Sequence, residues 1–457
     1  MSGALAGVLG GALASADRLI ESTRDVPQQP AALLSLAARV QRALAAHGIA
    51  RDEPVHLRIG NRPSDLGALL GIWNAGAVAV PVHVAAAAAT LERIQGLTGA
   101  RLQIDDDKVS LIGRSAPPQR PLLHDAALVI FTSGSTGVPK GVVVGHERFG
   151  EKLQVLDRLL GLRPNDCVLL PLQLTFIFGL WVALLALAKG ARLVLVPKPD
   201  RETVVQALPA ASVLAAVPST LRALSLETAA PLPRLRLILT GGEALSPKLA
   251  GALRLATPAA IHDLYGLTET GSCDFCLGPA DQPQGFGTIG RPTEGVSFRI
   301  AQTGELQIRT PFGMLGYLDD PQLTESAFED GFFKSGDLAK ITASGRVALV
   351  GRAKDIVSRG GIKIAPLEVD NLLAEHPDIA AALCAGVPDE RLGEVIHAVV
   401  VPRPGSTLDV SKLRAWLLER TERFKVPEVF HIRDVLPSGA TGKADRRAVA
   451  LLAARKD

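Results

Sequence analysis

Cysteine is scarce in this chain, which has only four in 457 residues: Cys167, Cys273, Cys276 and Cys384. So few cysteines in so long a chain exclude a disulfide framework. Cys273 and Cys276 form one CxxC, but a zinc site needs a second pair, or histidines at ligand spacing, and none follows. A zinc or redox site is therefore the weaker alternative. The favoured interpretation is two small residues that line an interior.

An excess of charge of one sign is also missing. The 49 Lys and Arg residues almost balance the 46 Asp and Glu residues, and aromatic residues make up 4% of the chain. No basic stripe with interleaved aromatic residues is present, so we expect no nucleic-acid partner. Residues Met1–Ala16 lack the basic start and leucine core of a signal peptide. We therefore expect disorder or a surface helix there, and a cytoplasmic protein.

Apolar runs of strand length alternate with helical ones through the first 300 or so residues, which is typical of largely parallel α/β sheets. A helix is predicted near Leu66–Asn74. The predicted strands are Pro54–Ile59, Ala77–Val82, Ala126–Phe131, Arg192–Val196, Val213–Val217 and Leu235–Leu239.

The pattern changes in the last third of the chain. Shorter spacing near Gly304–Arg309 and Arg346–Val350 predicts hairpins of a small β subdomain. After Arg352 an α+β pattern begins, with helices near Leu367–Ala374 and Lys412–Glu422. We therefore predict an α/β fold: a large amino-terminal domain of α/β sheets with the β subdomain, residues 1–353, and a smaller mobile α+β domain, residues 354–457.

A loop rich in glycine and hydroxyl residues follows the predicted strand at residues 126–131. Its glycines let backbone N–H groups point inward as an anion nest, and Lys140 adds a cation for the β- and γ-phosphates of a nucleotide. It is not the GxxxxGK[ST] loop, because Gly141 follows Lys140. The predicted phosphate-binding residues are Thr132, Ser133, Gly134, Ser135, Thr136, Gly137 and Lys140.

This ten-residue loop resembles the signature loop of the adenylate-forming superfamily, which includes acyl- and aryl-CoA synthetases, luciferases and peptide-synthetase adenylation domains. The resemblance covers almost the whole chain, with the first 30 or so residues abbreviated, and is closest to acyl-CoA and benzoate-CoA ligases. It implies ATP and Mg²⁺ as cofactors, with coenzyme A or the phosphopantetheine of a carrier protein as the thiol.

Further motifs follow in the order of that family. The resemblance assigns Tyr265 to adenine, Thr268 to the α-phosphate and Glu269 to Mg²⁺, and these residue types suit a flat base and a hard cation. The expected metal ligands are Glu269 and Thr136. Four further residues carry over in the same way. They are Gly242 and Glu243 at the adenine edge, Asp337 at the ribose hydroxyls and Arg352 beside the ribose.

The carboxyl-terminal motifs imply two states of the smaller domain. Lys443, in Pro437-Ser438-Gly439-Ala440-Thr441-Gly442-Lys443, resembles the catalytic lysine that joins carboxylate and α-phosphate oxygens. Lys354 stands at the family's hinge position. Gly360 and Gly361 match the strand that approaches the pantetheine tunnel, where a side chain would block the thiol. With Thr268 and Glu269, Lys443 completes the expected catalytic set.

The resemblance places the acid pocket in three segments: the one after the phosphate loop, the one before the adenine edge, and the one after Glu269. The segment PLQLTFIFG lacks the acidic residue with which peptide-synthetase domains bind the α-amine, which argues against an α-amino acid as substrate. Its aromatic residues resemble those of benzoate ligases. The alternative is that these phenylalanines only pack the core. The expected pocket residues are Phe176, Phe178, Gly179, Val217 and Cys273.

The run Cys167–Ala188 carries no charge and is long enough to span a bilayer. A single crossing would separate the phosphate loop from the later nucleotide motifs, which must meet on one ATP. We therefore predict a buried strand, a loop and a buried helix instead of a membrane span.

These observations predict an AMP-forming acyl- or aryl-CoA ligase. The carboxylic acid, the acceptor and the oligomeric state, monomer or homodimer, stay open. One alternative is an acyl-AMP ligase that loads an acyl carrier protein. Another is a non-catalytic nucleotide sensor, which the full set of motif residues disfavours. A luciferase-type oxygenase would share every motif.

Overall fold

A computed structural model describes Leu5, Leu9, Gly11–Ala12 and residues 20–23, 28–115, 117–132, 139–224, 232–437 and 444–454. The strands in chain order are β1 Ile20–Ser22, β2 Pro54–Ile59, β3 Val78–His83, β4 Leu102–Asp105, β5 Lys108–Leu111, β6 Ala126–Thr132, β7 Lys140–Gly145, β8 Cys167–Leu170, β9 Arg192–Leu195, β10 Val213–Ala215, β11 Leu237–Gly241, β12 Ala260–Tyr265, β13 Phe275–Leu277, β14 Arg291–Pro292, β15 Ser297–Ile300, β16 Glu305–Arg309, β17 Gly316–Tyr317, β18 Phe328–Glu329, β19 Phe332–Ile341, β20 Val347–Arg352, β21 Val357–Arg359, β22 Ile362–Ile364, β23 Ile379–Asp389, β24 Gly393–Pro402 and β25 Val429–Ile432.

The α-helices are fewer and connect these strands. In chain order they are α1 Pro30–Ala46, α2 Pro63–Asn74, α3 Ala88–Thr98, α4 His146–Leu160, α5 Ile177–Ala188, α6 Arg201–Ala207, α7 Pro218–Leu224, α8 Pro247–Ala256, α9 Pro321–Ser326, α10 Pro366–Glu375, α11 Val410–Leu418 and α12 Arg446–Ala454.

Two large sheets form the first part of the molecule. The first has the order β1-β9-β8-β10-β11-β12-β13-β14 and is parallel from β1 to β12. The second has the order β17-β7-β6-β3-β2-β4-β5 and is parallel from β6 to β4. In parallel strands the carboxyl ends lie at one edge, so the loops that follow them meet there.

One apolar core joins the two large sheets. Leu57 of β2 and Leu128 of β6 share it with Val168 of β8 and Leu193 of β9. Helix α5 lies inside this core, and all but two of its 12 residues are buried, because its sequence is apolar on every side. A helix of this kind needs packing on each face, and the elements in contact with it include β8 and β9 of the first sheet and helix α4.

A third and a fourth sheet complete the fold. Strands β15, β16, β18, β19 and β20 form a small antiparallel sheet. Strands β21 to β25 form the last sheet, whose apolar face packs on α10 and α11. A single 3₁₀ turn, Ala353–Asp355, connects the third sheet to the fourth. The predicted boundary between residues 353 and 354 falls in this turn and stays a prediction.

The α/β class and most predicted elements are confirmed, with local corrections. Residues 167–188 form the strand β8, a loop and the buried helix α5. The strand predicted to end at Val217 ends at Ala215, because Pro218 starts a helix. The helix predicted to end at Glu422 ends at Leu418. None of the helices in the described part of the chain has the length and apolar character of a membrane span.

The amino-terminal segment differs from the expected surface helix or disorder where it is described. Leu5 and Leu9 are helical and buried in the main core. Strand β1, which no sequence pattern predicted, pairs with β9 through Ile20 and Leu193. Three residues are too few for an alternation signal, so the pairing depends on the neighbouring strand.

Candidate active site

A buried carboxylate joins three of the predicted nucleotide residues. Asp337 lies on β19, directly opposite Arg352 on β20, and is only 4% exposed. Its Oδ2 accepts a hydrogen bond from the Tyr265 hydroxyl at 2.7 Å, and its Oδ1 accepts one from Arg352 Nε at 3.0 Å. The structure therefore brings Tyr265, Asp337 and Arg352 together as predicted from motifs 72 and 15 residues apart.

Tyr265 ends strand β12 and is held on two sides. Its ring packs edge-on against Phe275, with the ring centres 6.0 Å apart. Burial and the adjacent Asp337 carboxylate raise the pKa of the Tyr265 hydroxyl well above its usual value. The phenol therefore stays neutral and donates to the carboxylate.

A second tyrosine–carboxylate pair lies at the end of the phosphate loop. Glu269 belongs to the 3₁₀ turn Thr268–Thr270, and its Oε1 accepts a hydrogen bond from the Tyr317 hydroxyl at 3.2 Å. Lys140 Nζ lies 5.3 Å from the centre of the Tyr317 ring. Strand β17 places Tyr317 opposite Val142 of β7. The predicted phosphate cation and the predicted metal ligand therefore flank one aromatic ring.

The stems of the phosphate loop are paired strands. Thr132 ends β6 opposite Lys140, the first residue of β7. The predicted loop residues Ser133, Gly134, Ser135, Thr136 and Gly137 lie outside the described residues, so their assignments, including Thr136 as a metal ligand, stay predictions. The stems fix where the loop leaves and re-enters the second sheet.

The segment predicted at the adenine edge lies at the carboxyl end of β11. Gly242 adopts a φ of +79°, and Glu243 accepts hydrogen bonds from the Ser219 backbone N at 2.9 Å and its hydroxyl at 3.0 Å. Glu243 therefore stabilises the start of helix α7. No described hydrogen bond connects Gly242 or Glu243 with Asp337.

Asp263 is a polar group near this segment that the sequence argument missed. It lies on β12 in register with Thr240 of β11, one residue before Gly241. Burial raises the pKa of the Asp263 carboxyl to about 7. The Thr240 hydroxyl lacks a hydrogen-bond partner among the described residues. A perturbed carboxyl beside an unsatisfied hydroxyl is typical of a ligand-binding edge.

Three of the predicted acid-pocket residues, Phe176, Phe178 and Gly179, lie at the start of helix α5. Phe176 is the residue before α5, and the ring of Phe178 stacks on Trp181 at 5.3 Å between centres. Trp181 Nε1 donates to the Ser272 hydroxyl at 3.4 Å. A Cβ on Gly179 would lie 2.4 Å from the Gln173 carbonyl oxygen, so packing alone requires glycine there. Val217 precedes helix α7 and is partly exposed.

Cys273 and Cys276 are buried free thiols. Burial raises the pKa of the Cys273 thiol to about 12. Cys276 Sγ lies 3.6 Å from His262 Nδ1. Two protonated, buried thiols agree with the interpretation that small residues line an interior.

The predicted hinge residue, Lys354, lies close enough to Arg352 and Asp337 for their charges to affect its amine. Lys354 sits in the 3₁₀ turn between the third and fourth sheets. Burial, and next the charge of Arg352, lower the pKa of the Lys354 amine, while the Asp337 carboxylate is among the groups that oppose this effect. Lys443 lies outside the described residues. The base of its loop is closed by a hydrogen bond of 2.9 Å from the Asp445 N–H to the Pro437 carbonyl.

Gly360 and Gly361 form the two-residue turn between β21 and β22. Their φ angles are +56° and +84°, the combination that a tight hairpin requires. Backbone geometry therefore explains both glycines. Their predicted role beside a thiol tunnel stays a prediction, and no described contact joins them to Asp337 or Glu269.

Tyr317 is the other residue that the sequence argument missed, although a signal was present. The chain contains only two tyrosines, Tyr265 and Tyr317. Each donates its hydroxyl to a predicted site carboxylate. We therefore interpret Tyr317, like Tyr265, as a residue of the candidate site.

The fold and these two carboxylate groups define an adenylate-forming enzyme. The sequence profile described as AMP-binding enzyme matches residues 31–318, and the profile described as AMP-binding enzyme C-terminal domain matches residues 368–443. The chain belongs to the AMP-binding enzyme family.

Several relatives are similar over nearly the full chain. A feruloyl-CoA synthase from Streptomyces sp. is 31% identical over 89% of this chain and 90% of its own. An indoleacetate–CoA ligase from Aromatoleum aromaticum is 30% identical over 93% of each chain. A fatty acid–[acyl-carrier-protein] ligase from Streptomyces coeruleorubidus is 28% identical over 90% of this chain and 88% of its own.

Solved structures share the fold. O-succinylbenzoate coenzyme A synthetase from Bacillus subtilis, in complex with ATP and magnesium ion, matches with a TM-score of 0.83 and 25% identity. The match covers 97% of this chain and 98% of that structure. The architecture of both the large and the small part is therefore that of AMP-forming ligases.

Proposed function

We propose that this chain is an acid–thiol ligase that converts a carboxylic acid and ATP into an acyl-adenylate and then transfers the acyl group to coenzyme A. The observation that carries the proposal is the pair of tyrosine-supported carboxylates. One stands beside the end of the phosphate loop and the other is paired with Arg352. In this arrangement one carboxylate would hold the metal at the phosphate end of a nucleotide, and the other would accept the ribose hydroxyls.

Asp337 is suited to the ribose end. A carboxylate with two oxygens can accept both ribose hydroxyls, and Tyr265 and Arg352 hold it in one orientation. Arg352 is 54% exposed at its side chain, so it can turn toward a bound nucleotide without leaving the strand. Asp263 adds an acceptor near Gly241, where the amino group of adenine would lie.

Glu269 is suited to a divalent cation. Its carboxylate makes no ion pair with a described lysine or arginine, and a hard oxygen next to a phosphate-binding loop fits Mg²⁺. Bound there, the cation would neutralise charge on the phosphates. Tyr317 holds the carboxylate by its hydrogen bond, and Lys140 adds a second positive charge over the Tyr317 ring.

The chemical step needs positioning and charge neutralisation. The carboxylate oxygen of the acid attacks the α-phosphorus, the bond to pyrophosphate breaks, and an acyl-AMP mixed anhydride forms. A thiol then attacks the acyl carbonyl and AMP leaves. We assign Thr268 to the α-phosphate and Lys443 to the shared charge of carboxylate and phosphate in the first step.

The thiol step calls for a different face of the carboxyl-terminal part. The family resemblance assigns Lys443 to the first step and Gly361 to the second, so we propose that each faces the cleft in turn. Rotation about Lys354 would exchange them, a gating motion of a known kind. The single 3₁₀ turn Ala353–Asp355 is short enough to absorb such a rotation.

An aromatic acid is the substrate class that the pocket favours. Phe176 and Phe178 would provide flat apolar walls, and the buried Trp181 ring stacks on Phe178. Two of the relatives carry aromatic acids in their names, feruloyl and indoleacetate. The segment from Pro171 to Gly179 contains no acidic residue, so it offers no carboxylate to pair with the α-amine of an amino acid.

Coenzyme A is the proposed acceptor. Its phosphates would bind cationic side chains of the fourth sheet and its loops, and Arg359, Lys363 and Arg391 are the residues to consider. Arg359 donates to the Phe424 carbonyl at 2.7 Å and pairs with Glu428, so it is already engaged. Lys363 and Arg391 remain as candidates on that surface. A carrier protein is the second candidate acceptor, since one relative is by name a carrier-protein ligase.

The test is a pyrophosphate-release screen over benzoates, cinnamates, indole acids and fatty acids, followed by thioester detection with coenzyme A or with holo-carrier proteins. We expect release with an aromatic acid and an acyl-CoA product. Release without any acyl-CoA, together with an acylated carrier protein at micromolar concentration, would transfer the proposal to the second acceptor. No release with any acid would refute the ligase.

A further inference from the structure

A completely buried lysine lies behind the candidate site and has no role in the reaction as described. Lys152 is on helix α4, which follows the phosphate-loop strand β7, and its exposure is 0%. Burying an ammonium group is costly unless it is paired and hydrogen-bonded. The groups that Lys152 contacts therefore indicate which part of the structure the buried lysine stabilises.

Lys152 holds the chain directly after the Thr268–Thr270 turn. Its Nζ donates to the Cys273 carbonyl at 2.9 Å and to the Thr293 hydroxyl at 3.4 Å, and it lies 5.2 Å from the centre of the Phe312 ring. Ser272 and Cys273 have φ angles of +67° and +51°. Neither is glycine, so this left-handed turn is strained and needs such external contacts.

Asp274 connects the same lysine to the turn itself. Its Oδ2 accepts a hydrogen bond from the Thr270 hydroxyl, which in turn accepts one from the Leu267 N–H at 3.3 Å. Asp274 is fully buried, and the positive charge of Lys152 counteracts the burial that raises the pKa of its carboxyl. The contacts of Asp274 thus reach both sides of Thr268 and Glu269.

Arg148 lies one helical turn before Lys152 on the same face of α4. It donates to the Met314 carbonyl at 2.7 Å and to the Gly313 carbonyl at 3.0 Å. The Met314 N–H then donates to the Glu269 carbonyl at 2.8 Å. The second cation of the helix therefore supports the Glu269 backbone from the other side.

We propose that Arg148, Lys152 and Asp274 form a carbonyl clamp that fixes the position of Glu269 relative to the phosphate loop. The inference rests on the proposed function, because it assigns the clamp to the metal-binding carboxylate. These three are positioning residues, since none touches Glu269's carboxylate. Helix α4 follows β7 directly, so the clamp couples the loop stem and the Glu269 turn in one rigid unit.

The test compares Lys152→Met and Arg148→Ala with Arg158→Ala. Arg158 lies on the same helix but pairs with Glu294 at the surface, with side chains 55% and 63% exposed. ATP binding is titrated calorimetrically with Mg²⁺ and with a chelator. We expect the Mg²⁺-dependent gain in affinity to fall about tenfold in both clamp variants, with binding in chelator little changed. Arg158→Ala should match the parent.

Equal loss of affinity with and without Mg²⁺ would mean that the clamp only supports the fold, and the inference would then fail. Unchanged affinity in a folded Lys152→Met protein would also overturn it. If that variant does not fold, the exposed Arg148 decides, and parent-like Mg²⁺ dependence in Arg148→Ala refutes the clamp. A parent that binds Mg²⁺ and ATP but releases no pyrophosphate would refute the ligase and leave the clamp testable.

Discussion

At the scale of single residues, two carboxylates with different surroundings, Asp337 and Asp263, support the proposal that the site binds a nucleotide. Asp337 is buried between a phenol and a guanidinium, and each donates a hydrogen bond to its side chain. No cation of the described residues forms an ion pair with Asp263, and burial raises the pKa of its carboxyl to about 7. The two positions should therefore respond to substitution in different ways.

Asp337→Asn should weaken ATP binding. The amide keeps the size of the side chain but loses its charge and one of its two acceptor oxygens, so we expect the KM for ATP to rise about tenfold or more with a smaller change in the KM for the acid. Steady-state pyrophosphate release with varied ATP measures this. Asp319→Asn is the matched control, because Asp319 has a φ of +53° that asparagine tolerates and pairs only with Arg120. Equal effects in both variants would contradict the assignment.

Asp263 should make ATP binding depend on pH. Above about pH 7 its carboxylate can accept from the adenine amino group, and below that pH it is protonated. We therefore expect the affinity for ATP to fall between pH 8 and pH 6 in the parent and to stay level in Asp263→Asn. Fluorescence or calorimetric titration across that range decides. A parent-like slope in the variant would assign the titration to another group.

The same pKa has the opposite effect on stability. The folded value lies above the ordinary value of 3.8, so the folded state binds the proton more tightly than the unfolded state. This residue's contribution to the free energy of unfolding therefore increases as pH falls from about 7 toward 3.8. The difference in stability between the parent and Asp263→Asn should shrink over that window in chemical denaturation.

At the scale of elements, most of the long apolar strands were predictable from the sequence, and the residues that support the site were not. Runs such as Leu128–Phe131 identify themselves by uninterrupted apolar character, and motif order places Tyr265 and Asp337 at one site. The left-handed turn at Ser272 and Cys273 has no such pattern, because neither residue type favours that backbone. From the sequence alone Lys152 would be taken for a surface lysine, because its hydrogen-bond partners lie 121 and 141 residues away.

The β21–β22 turn gives a test of the thiol-step face. Gly361→Ala places a Cβ in open space but at a φ of +84°, which should cost about 1 kcal/mol of stability. Adenylation, followed by pyrophosphate release, should persist, while thioester formation should fall severalfold. Gly345→Ala has the same open surroundings at a φ of +73° in the β19–β20 hairpin and provides the control. Identical rates of thioester formation in the two variants would contradict the predicted role of Gly361 in the thiol tunnel.

At the scale of the whole molecule, the two half-reactions should separate at the hinge. Proline fixes φ near −65°, so Lys354→Pro should hold one arrangement of the carboxyl-terminal part, spare adenylation and reduce thiol transfer more than tenfold. Lys354→Gln removes the charge without fixing φ and is the control. Single-turnover assays of each step decide, and both steps intact in Lys354→Pro would place the hinge elsewhere.

Helix α5 has a consequence for how the protein unfolds. Because this helix is apolar on every side and lies in a core shared by the first two sheets, neither sheet can open without exposing it to water. The two sheets should therefore denature as one cooperative unit despite their separate hydrogen-bond networks. Backbone amides of β2 and β8 should exchange with solvent through the same global opening. The fourth sheet, with its own core on α10 and α11, can open independently and at lower denaturant concentration.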